Sequence, residues 1–228
     1  SYWRGGISIK EVFSDIIVEA PLGSRTKLTL PDGTLVWLNA GSRITYSQGF
    51  GVGNRKIELI GEGYFEVKRN EEVPFLVKTN SLLVKVLGTK FNFRDYPDDA
   101  EAIVSLSEGK VALNNLLKKE KEAFLLPNER VVLNKKNGRM HVEYSTVSNA
   151  LQWTNGYLFF DEELLPDVVK ELERSYNVKI QIASDTLNTF RFYGNFVHRE
   201  QNIQEVLEAL SATRKIHYII EGHNITLY

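Results

Sequence analysis

Residues 82–94 read Leu-Leu-Val-Lys-Val-Leu-Gly-Thr-Lys-Phe-Asn-Phe-Arg, and this stretch decides the fold class of the first two thirds of the chain. Apolar residues recur at every second position on both sides of the Gly-Thr pair, at 82, 84 and 86 and again at 91 and 93. A period of two with β-branched and aromatic residues is the pattern of β-strands. The stretch therefore predicts two strands joined by a short connection.

The same pattern continues in both directions as far as residue 145. Short turn signals separate the strands at Pro31-Asp32-Gly33, Glu108-Gly109 and Asn137-Gly138. The last is a strong hairpin signal, because Asn and Gly both accept a positive φ. No stretch before residue 145 has apolar residues at helical spacing. We therefore expect a mainly β protein whose N-terminal part is an all-β roll or a β-helix-like stack.

The pattern changes after residue 156. Tyr157–Phe160 reads as a strand, and apolar residues at 165, 168, 169, 172 and 176 then have the spacing of an amphipathic helix. Pro166 lies near the start of this helix, where its missing amide proton is tolerated. Four acidic residues, Asp161, Glu162, Glu163 and Asp167, are expected to crowd the same end, where they would favour the helix dipole.

Two further strands, a second helix and a hairpin complete the C-terminal part. The strands are Val178–Ala183 and Phe190–Phe196, and Asn202 with Glu205 begins the helix as a capping-box-like pair. The predicted order is β-α-β-β-α-β-β, two βαβ halves in a small α+β domain. We place an all-β domain at residues 1–148 and the α+β domain at residues 149–228.

Two separately packed cores are expected. The first is predicted to contain Leu28, Trp37, Leu59, Phe65, Val86, Phe93 and Val104. The second is predicted to contain Phe159, Val168, Leu172, Ile180, Phe192, Val206, Leu207 and Leu210.

The composition argues against several classes of function. The net charge of −1 offers nucleic acid and anionic lipid no general attraction. The absence of cysteine excludes disulfides, thiolate metal sites and cysteine nucleophiles. No apolar run reaches the roughly 18–20 residues that cross a bilayer, and Ser1–Gly6 lacks the apolar middle of a signal peptide. We expect no nucleic-acid partner, and membrane attachment only through a segment outside this sequence.

Isolated motifs do not indicate an enzyme. Gly49, Gly51 and Gly53 form G-x-G-x-G, but a strand pattern follows them where a phosphate loop requires a helix, so a hairpin loop is expected. The four histidines share no metal-ligand spacing, and no serine lies in a G-x-S-x-G elbow. Glu62 stands between two glycines and is interpreted as a turn residue. We expect no catalytic residue, no metal and no cofactor.

Several phrases of the N-terminal part occur together in a specific order. They are Leu30-Pro31-Asp32-Gly33-Thr34, Val36-Trp37-Leu38-Asn39, Gly61-Glu62-Gly63-Tyr64-Phe65-Glu66-Val67, Pro74-Phe75, Val86-Leu87-Gly88-Thr89-Lys90-Phe91 and Leu106-Ser107-Glu108-Gly109-Lys110-Val111. In this order and spacing they resemble the periplasmic region of FecR-type anti-sigma factors. The C-terminal part, with Leu172-Glu173-Arg174-Ser175-Tyr176-Asn177-Val178, resembles the small domain that follows in the Bacteroidetes branch. That domain is similar to the short N-terminal domain of secretins and TonB-dependent transducers.

The resemblance implies a mechanism. Such proteins cross the inner membrane once, and the periplasmic region binds the signalling domain of a TonB-dependent outer-membrane transporter. A cytoplasmic domain holds an extracytoplasmic-function sigma factor, which is released after that contact. Both the cytoplasmic domain and the membrane helix would precede residue 1. The sequence leaves open whether the imported ligand is a glycan or an iron chelate.

Two candidate sites follow. In Phe190–Phe196 the three phenylalanines are predicted to face the core, and Arg191, Tyr193 and Asn195 the opposite side, a mixture suited to protein contact. A solvated sheet face is the alternative. The second candidate is Gly88-Thr89, because some members of the family self-cleave at a Gly-Thr peptide by an N-to-O acyl shift. The alternative there is a plain turn.

The alternative function is an extracellular carbohydrate-binding or adhesion module. Trp3, Trp37 and Trp153 could stack on sugar rings, although Trp37 and Trp153 are expected in the core. Such a module requires a row of exposed aromatic side chains on one sheet face. The signalling interpretation instead expects an open edge strand in the C-terminal domain.

Overall fold

Thirteen strands build the N-terminal part of the fold in residues 13–228, which the computed structural model describes. They are β1 (Asp15–Ala20), β2 (Thr26–Thr29), β3 (Leu35–Leu38), β4 (Ser42–Ser47), β5 (Arg55–Glu66), β6 (Phe75–Lys78), β7 (Leu82–Val86), β8 (Lys90–Asp95), β9 (Glu101–Glu108), β10 (Val111–Asn115), β11 (Ala123–Leu125), β12 (Glu129–Asn134) and β13 (Met140–Tyr144). The two strands predicted in residues 82–94 are β7 and β8. Trp3 lies outside the described residues.

The C-terminal part adds three α-helices and five strands within the same described range. They are α1 (Val147–Ala150), β14 (Tyr157–Leu164), α2 (Leu165–Tyr176), β15 (Lys179–Ile182), β16 (Arg191–Val197), α3 (Ile203–Ser211), β17 (Tyr218–Glu221) and β18 (Asn224–Leu227). The predicted β-α-β-β-α-β-β order is confirmed from β14 onward. None of the helices in the described residues has the length and apolarity to span a bilayer.

The thirteen strands form one sheet that folds over on itself at β5. The first half of β5 pairs with β4 and, in parallel, with β6, and its second half pairs with β3 and β8. One half-sheet therefore runs β1-β4-β5-β6-β7-β10-β11, and the other runs β2-β3-β5-β8-β9-β12-β13. The expectation of a mainly β, rolled N-terminal part is confirmed.

Gly61 is the residue at which β5 changes partners. Ile60 pairs with Arg43 in the first half-sheet, and Gly61 pairs with Asp95 in the second. Gly61 has a φ of +96°, and a Cβ there would lie 2.3 Å from the Ser42 hydroxyl oxygen. A side chain is excluded both by the backbone conformation and by the lack of space.

The inner faces of the two half-sheets supply the first apolar cluster. Five of the predicted core residues belong to it, and Leu28 packs at its edge: the five are Leu59, Phe65, Val86, Phe93 and Val104. The prediction for Trp37 is wrong. Val36 and Leu38 point inward, so Trp37 lies on the outer face, where it packs on Tyr64 beneath the Lys27 ammonium group.

The second apolar cluster lies in the C-terminal part. Seven of the eight predicted residues belong to it: Val168, Leu172, Ile180, Phe192, Val206, Leu207 and Leu210. Phe159 does not, because Leu158 and Phe160 point inward and place Phe159 on the opposite face of β14. The predictions for Trp37 and Phe159 failed for the same reason: each residue lies in a run of apolar residues, so the sequence does not show which alternate positions face the core.

The C-terminal strands form two small sheets instead of two βαβ halves. β14 pairs with β16 in one, and β15-β18-β17 form the other. Asp167 lies in the first turn of α2 as predicted, whereas residues 161–163 belong to β14 and precede the helix. A register shift interrupts the β14–β16 pairing between Phe160 and Glu163.

Local signals behave as predicted. Asn202 and Glu205 make both reciprocal bonds of a capping box at the start of α3, at 3.0 and 2.8 Å. The loop of Gly49, Gly51 and Gly53 connects the antiparallel strands β4 and β5, so it is a hairpin loop and not a phosphate cradle.

Gly61→Ala should lower the free energy of unfolding by about 2–4 kcal/mol, because it adds backbone strain and a collision with Ser42. Gly53→Ala is the matched control, since nothing lies within 4 Å of a Cβ at that position. Urea unfolding measures both variants. Equal stability of the two alanine variants would contradict a bend that depends on Gly61.

Candidate functional site

An exposed face of the β14–β16 ribbon carries the predicted protein-binding residues. Arg191, Tyr193 and Asn195 are exposed on one side of β16, and Phe192 and Phe196 are buried on the other. The structure therefore places the three predicted residues together on an accessible surface. Their role in binding stays a prediction.

The neighbouring strand contributes aromatic side chains that the sequence reasoning did not assign to this surface. Phe159 is opposite Asn195 in register, and its ring meets the Tyr193 ring edge-on at 6.2 Å between centroids. Phe159 is half-buried, and Tyr157, two residues earlier, is exposed. The alternation of 157 and 159 against 158 and 160 is the signal that could have identified them. We call Tyr157, Phe159, Arg191, Tyr193 and Asn195 the ribbon face.

Arg191 is held in place at the end of the ribbon face. Its Nη1 donates a hydrogen bond of 2.7 Å to the Glu162 carbonyl oxygen, in the irregular section of β14. Glu162 has a φ of 51°, which turns the backbone there. The guanidinium group is thereby positioned beside the ribbon while its side chain stays exposed.

A second arrangement lies where the C-terminal part meets the second half-sheet. We call Glu62, Arg94, Asp99, Glu171 and Arg174 the junction cluster. Glu62, Arg94 and Asp99 come from β5, β8 and the following loop, and Glu171 and Arg174 come from α2. The cluster therefore joins the two parts through charged side chains.

Glu62 is the innermost charge of the junction cluster. It lies in a strand, not in a turn as predicted, and it is buried. Its carboxylate accepts hydrogen bonds from Asn39 Nδ2 and Asn92 Nδ2, both at 2.8 Å. Burial raises the pKa of Glu62, against the opposing effect of the nearby Arg94 charge.

Arg94 connects the sheet to α2. Its Nε donates to Asp99 Oδ2 at 3.0 Å, and its Nη2 lies 3.3 Å from Glu171 Oε2. Its Nη1 is 3.9 Å from Glu62 Oε1. One guanidinium group thus interacts with three carboxylates from three different segments.

Arg174 makes the complementary connection from α2 to the loop after β8. Its Nη2 donates to Asp98 Oδ1 at 2.7 Å and to Asp99 Oδ1 at 2.6 Å. Its guanidinium carbon lies 3.5 Å from the centre of the Tyr96 ring, a cation–π contact. The Arg174 carbonyl also accepts a hydrogen bond of 2.7 Å from the Gly23 amide.

Asp99 is the carboxylate that both arginines share. Burial disfavours its charged form, but the charge of Arg94 and the hydrogen bonds from Arg174 outweigh this effect and lower the pKa of Asp99. The negative charge of Asp99 is therefore stabilised in the folded protein. The charged groups of the junction cluster form ion pairs with one another, an arrangement suited to holding the two parts together. No group of three or more potential metal ligands is found in residues 13–228.

Trp153 anchors the connecting segment to the second half-sheet. It is buried, and its indole nitrogen donates a hydrogen bond of 3.1 Å to Asn92 Oδ1 in β8. The proposed boundary between residues 148 and 149 falls inside α1. We retain the two-domain division as a proposal.

Gly88 and Thr89 lie in the connection between β7 and β8, apart from the ribbon face. Thr89 is buried, and its hydroxyl group donates to the Lys110 carbonyl oxygen at 3.4 Å. A Cβ on Gly88 would lie 2.8 Å from the Arg69 Cα, so glycine is required by space. Cleavage at this peptide stays a prediction.

Comparison with known proteins gives two family matches and two similar solved structures. The family described as FecR protein matches residues 17–112, and the family described as FecR, C-terminal matches residues 157–227. Crystal structures at 1.65 and 2.50 Å of a protein from Parabacteroides distasonis ATCC 8503, assigned as an anti-sigma factor, are each 33% identical to this chain with a TM-score of 0.85. They cover 93% and 94% of this chain, and 98% and 99% of the respective solved chains. No curated protein matches the chain.

Asp99→Asn should lower the free energy of unfolding at pH 7 by about 1–3 kcal/mol, because two arginines lose a charged acceptor. Since the pKa of Asp99 is depressed on folding, its contribution is present above the unfolded pKa and is lost as the pH falls through the lower folded value. The difference between wild type and variant should therefore narrow below about pH 4 in urea unfolding.

Asp98→Asn is the matched control for this prediction. Asp98 also binds Arg174, but its side chain is 64% exposed, so its loss should change stability by less than about 1 kcal/mol. A difference between wild type and Asp99→Asn that stays constant from pH 7 to about pH 3 would contradict the assignment.

Proposed function

Because the chain belongs to the FecR family of anti-sigma factors, we propose that it is the periplasmic signal-receiving part of a transmembrane anti-sigma factor. In this proposal it binds the signalling domain of a TonB-dependent outer-membrane transducer. Binding controls the release of an extracytoplasmic-function sigma factor held by a cytoplasmic domain outside this sequence. An inner-membrane helix, also outside this sequence, connects the two compartments.

The ribbon face is the observation that carries the proposal. It combines exposed aromatic rings with a positioned guanidinium group and an amide, the composition enriched at energetically important interface positions. Tyr193 is 66% exposed and has Phe159 beside it, which gives the face an aromatic centre. Within residues 13–228, β14 and β16 pair only with each other, so each has a second edge without a strand partner there, which a strand of the transducer could join.

The same aromatic rings favour one alternative, a carbohydrate-binding or adhesion module. Tyr157, Phe159 and Tyr193 share one sheet face, as sugar stacking requires. The face is only two strands wide. The other exposed aromatic side chains in the described residues are Phe124 and Tyr144 on different strands of the N-terminal part, Phe13 before β1 and Tyr228 after β18. This distribution favours protein contact over a sugar-binding row.

Self-cleavage at Gly88-Thr89 is a separate proposal within this family function. The Thr89 hydroxyl oxygen would attack the Gly88 carbonyl carbon, and the peptide C–N bond would break as the hydroxyl proton passes to the Thr89 nitrogen, which becomes a free amine. Water would then hydrolyse the resulting ester to the Gly88 carboxylate and the Thr89 hydroxyl group. The intact mass of the full-length protein from its native periplasm should then show two fragments, and Thr89→Ala should stay uncut. A single uncut species in the wild type would exclude the reaction.

Arg191→Ala and Tyr193→Ala should each weaken binding of the transducer's signalling domain by about 1–2 kcal/mol, a rise in Kd of roughly 5- to 30-fold. Calorimetric titration of the whole fragment measures this effect. Tyr144→Ala is the matched control, because Tyr144 is 81% exposed on β13 in the N-terminal part and should not affect binding.

Three results distinguish the proposal from its rivals. Loss of affinity in the two ribbon variants alone supports the ribbon face as the docking surface. Unchanged affinity in all folded variants would show that the docking surface is not the ribbon face. Failure of the wild type to bind the signalling domain, together with binding of an oligosaccharide that Tyr193→Ala abolishes, would favour the carbohydrate-binding module.

A further inference from the structure

Five charged residues, the junction cluster, interact across the seam between the two parts. The first apolar cluster is made by residues up to Leu133, and the second begins at Leu158. What lies between α2 and the second half-sheet is the junction cluster, with Lys170 Nζ donating to the Asp98 carbonyl at 2.5 Å. Polar interfaces between domains of one chain commonly permit relative motion.

Five of the six buried side-chain polar atoms without a hydrogen bond in the described residues lie at this seam, and the sixth, Asp95 Oδ2, lies at the end of β8. The five are Nη1 and Nη2 of Arg25, Oε2 of Glu171, Nη1 of Arg174 and Oγ of Ser175. Glu171 Oε2 is paired by charge alone, 3.3 Å from Arg94 Nη2 and 3.9 Å from Arg174 Nη1. When the seam closes, these groups lose hydrogen bonds to water that protein groups do not fully replace. This desolvation cost offsets part of the stabilisation from the ion pairs. The ion pairs therefore contribute less to the closed state than their number suggests.

The chain crosses the seam at a point that can act as a hinge. Residues 152–155 form a 3₁₀ turn anchored through Trp153 to Asn92, and β14 begins at Tyr157. Between them lies Gly156, with a φ of +87°. A glycine between two anchored segments can absorb a change of backbone angle at little cost.

We infer that residues 157–228 form a hinged body that swings about Gly156, off the outer face of the second half-sheet, while both apolar cores stay folded. Arg94 and Arg174 hold the closed state through their ion pairs across the seam, with Glu171 and Asp99 respectively. The seam is visible at the surface as a cleft of about 400 Å³, lined by residues of both parts that include Leu22, Asp98, Arg174 and Lys179. This device does not depend on the proposed transducer.

Opening exposes charged groups that are already balanced in sign. The basic groups at the seam are close to the acidic ones: Arg25, Arg94 and Arg174 interact with Glu62, Asp99 and Glu171. Both surfaces of the seam therefore gain hydration when they separate. The ribbon face lies on β14 and β16, whereas Arg94 and Arg174 lie on β8 and α2, so a partner bound to the ribbon can remain bound during the motion.

Residual dipolar couplings of backbone amides in the whole chain test the hinge. If the body swings, the couplings of residues 15–155 and those of 157–228 require different alignment tensors, with reduced order in the smaller part. Arg174→Ala should enlarge the difference. One common tensor that fits both parts in the wild type and in Arg174→Ala would overturn the inference.

A disulfide lock supplies the matched control. The chain has no cysteine, and a Cβ at Gly23 would lie 3.6 Å from the Asn177 Cβ, within the roughly 3.5–4.5 Å of natural disulfides. Both positions have a positive φ, +82° and 51°, so the two cysteines strain the backbone, and the reduced variant is the reference that carries the same strain. In the oxidised Gly23→Cys/Asn177→Cys variant, one alignment tensor should fit the couplings of both parts. After reduction of the disulfide, the two parts should again require different tensors. If the oxidised variant still requires two tensors, the motion does not occur at this seam and the inference fails.

Discussion

Strand β5 is the constraint on which the rest of the structure depends, because it belongs to both half-sheets. Gly61 lets the strand leave one half-sheet and enter the other, and the next residue, Glu62, then points outward from the second. That outward position would normally be solvated. It is buried instead, and the two asparagines that donate hydrogen bonds to it also accept hydrogen bonds from Arg25 and Trp153. The fold of the first part thus prepares the surface on which the second part docks.

The order and type of the elements could be predicted from the sequence because their periodicity is local. A period of two predicted β7, β8 and β13, a helical spacing predicted α2, and a capping pair predicted α3. The faces of all-apolar strands could not be predicted, because β3 and the start of β14 offer apolar side chains on both sides. Trp37 and Phe159 were assigned to the core for this reason, and both lie on outer faces.

The candidate sites differ in the same way: the ribbon face follows from alternation within one strand, whereas the junction cluster depends on contacts between residues far apart in the sequence. The exposure of Arg191, Tyr193 and Asn195 follows from alternation within β16, so the sequence could indicate it. The junction cluster depends on partners about 75 residues apart, such as Arg174 and Asp99. A charged residue between two glycines resembles a turn in the sequence, and only its long-range hydrogen bonds distinguish Glu62 from one. Such contacts carry no local pattern, so the sequence alone did not indicate them.

The two surfaces of the C-terminal part suit different tasks. The ribbon face presents aromatic and polar groups to a partner, and α2 presents charged groups to the N-terminal sheet. The account requires that charges across the seam act as a coupled unit. A double-mutant cycle of Arg94→Ala and Glu171→Ala in urea unfolding measures this coupling most directly. We predict a coupling energy of about 1–3 kcal/mol, and effects that add to within about 0.5 kcal/mol would contradict the account.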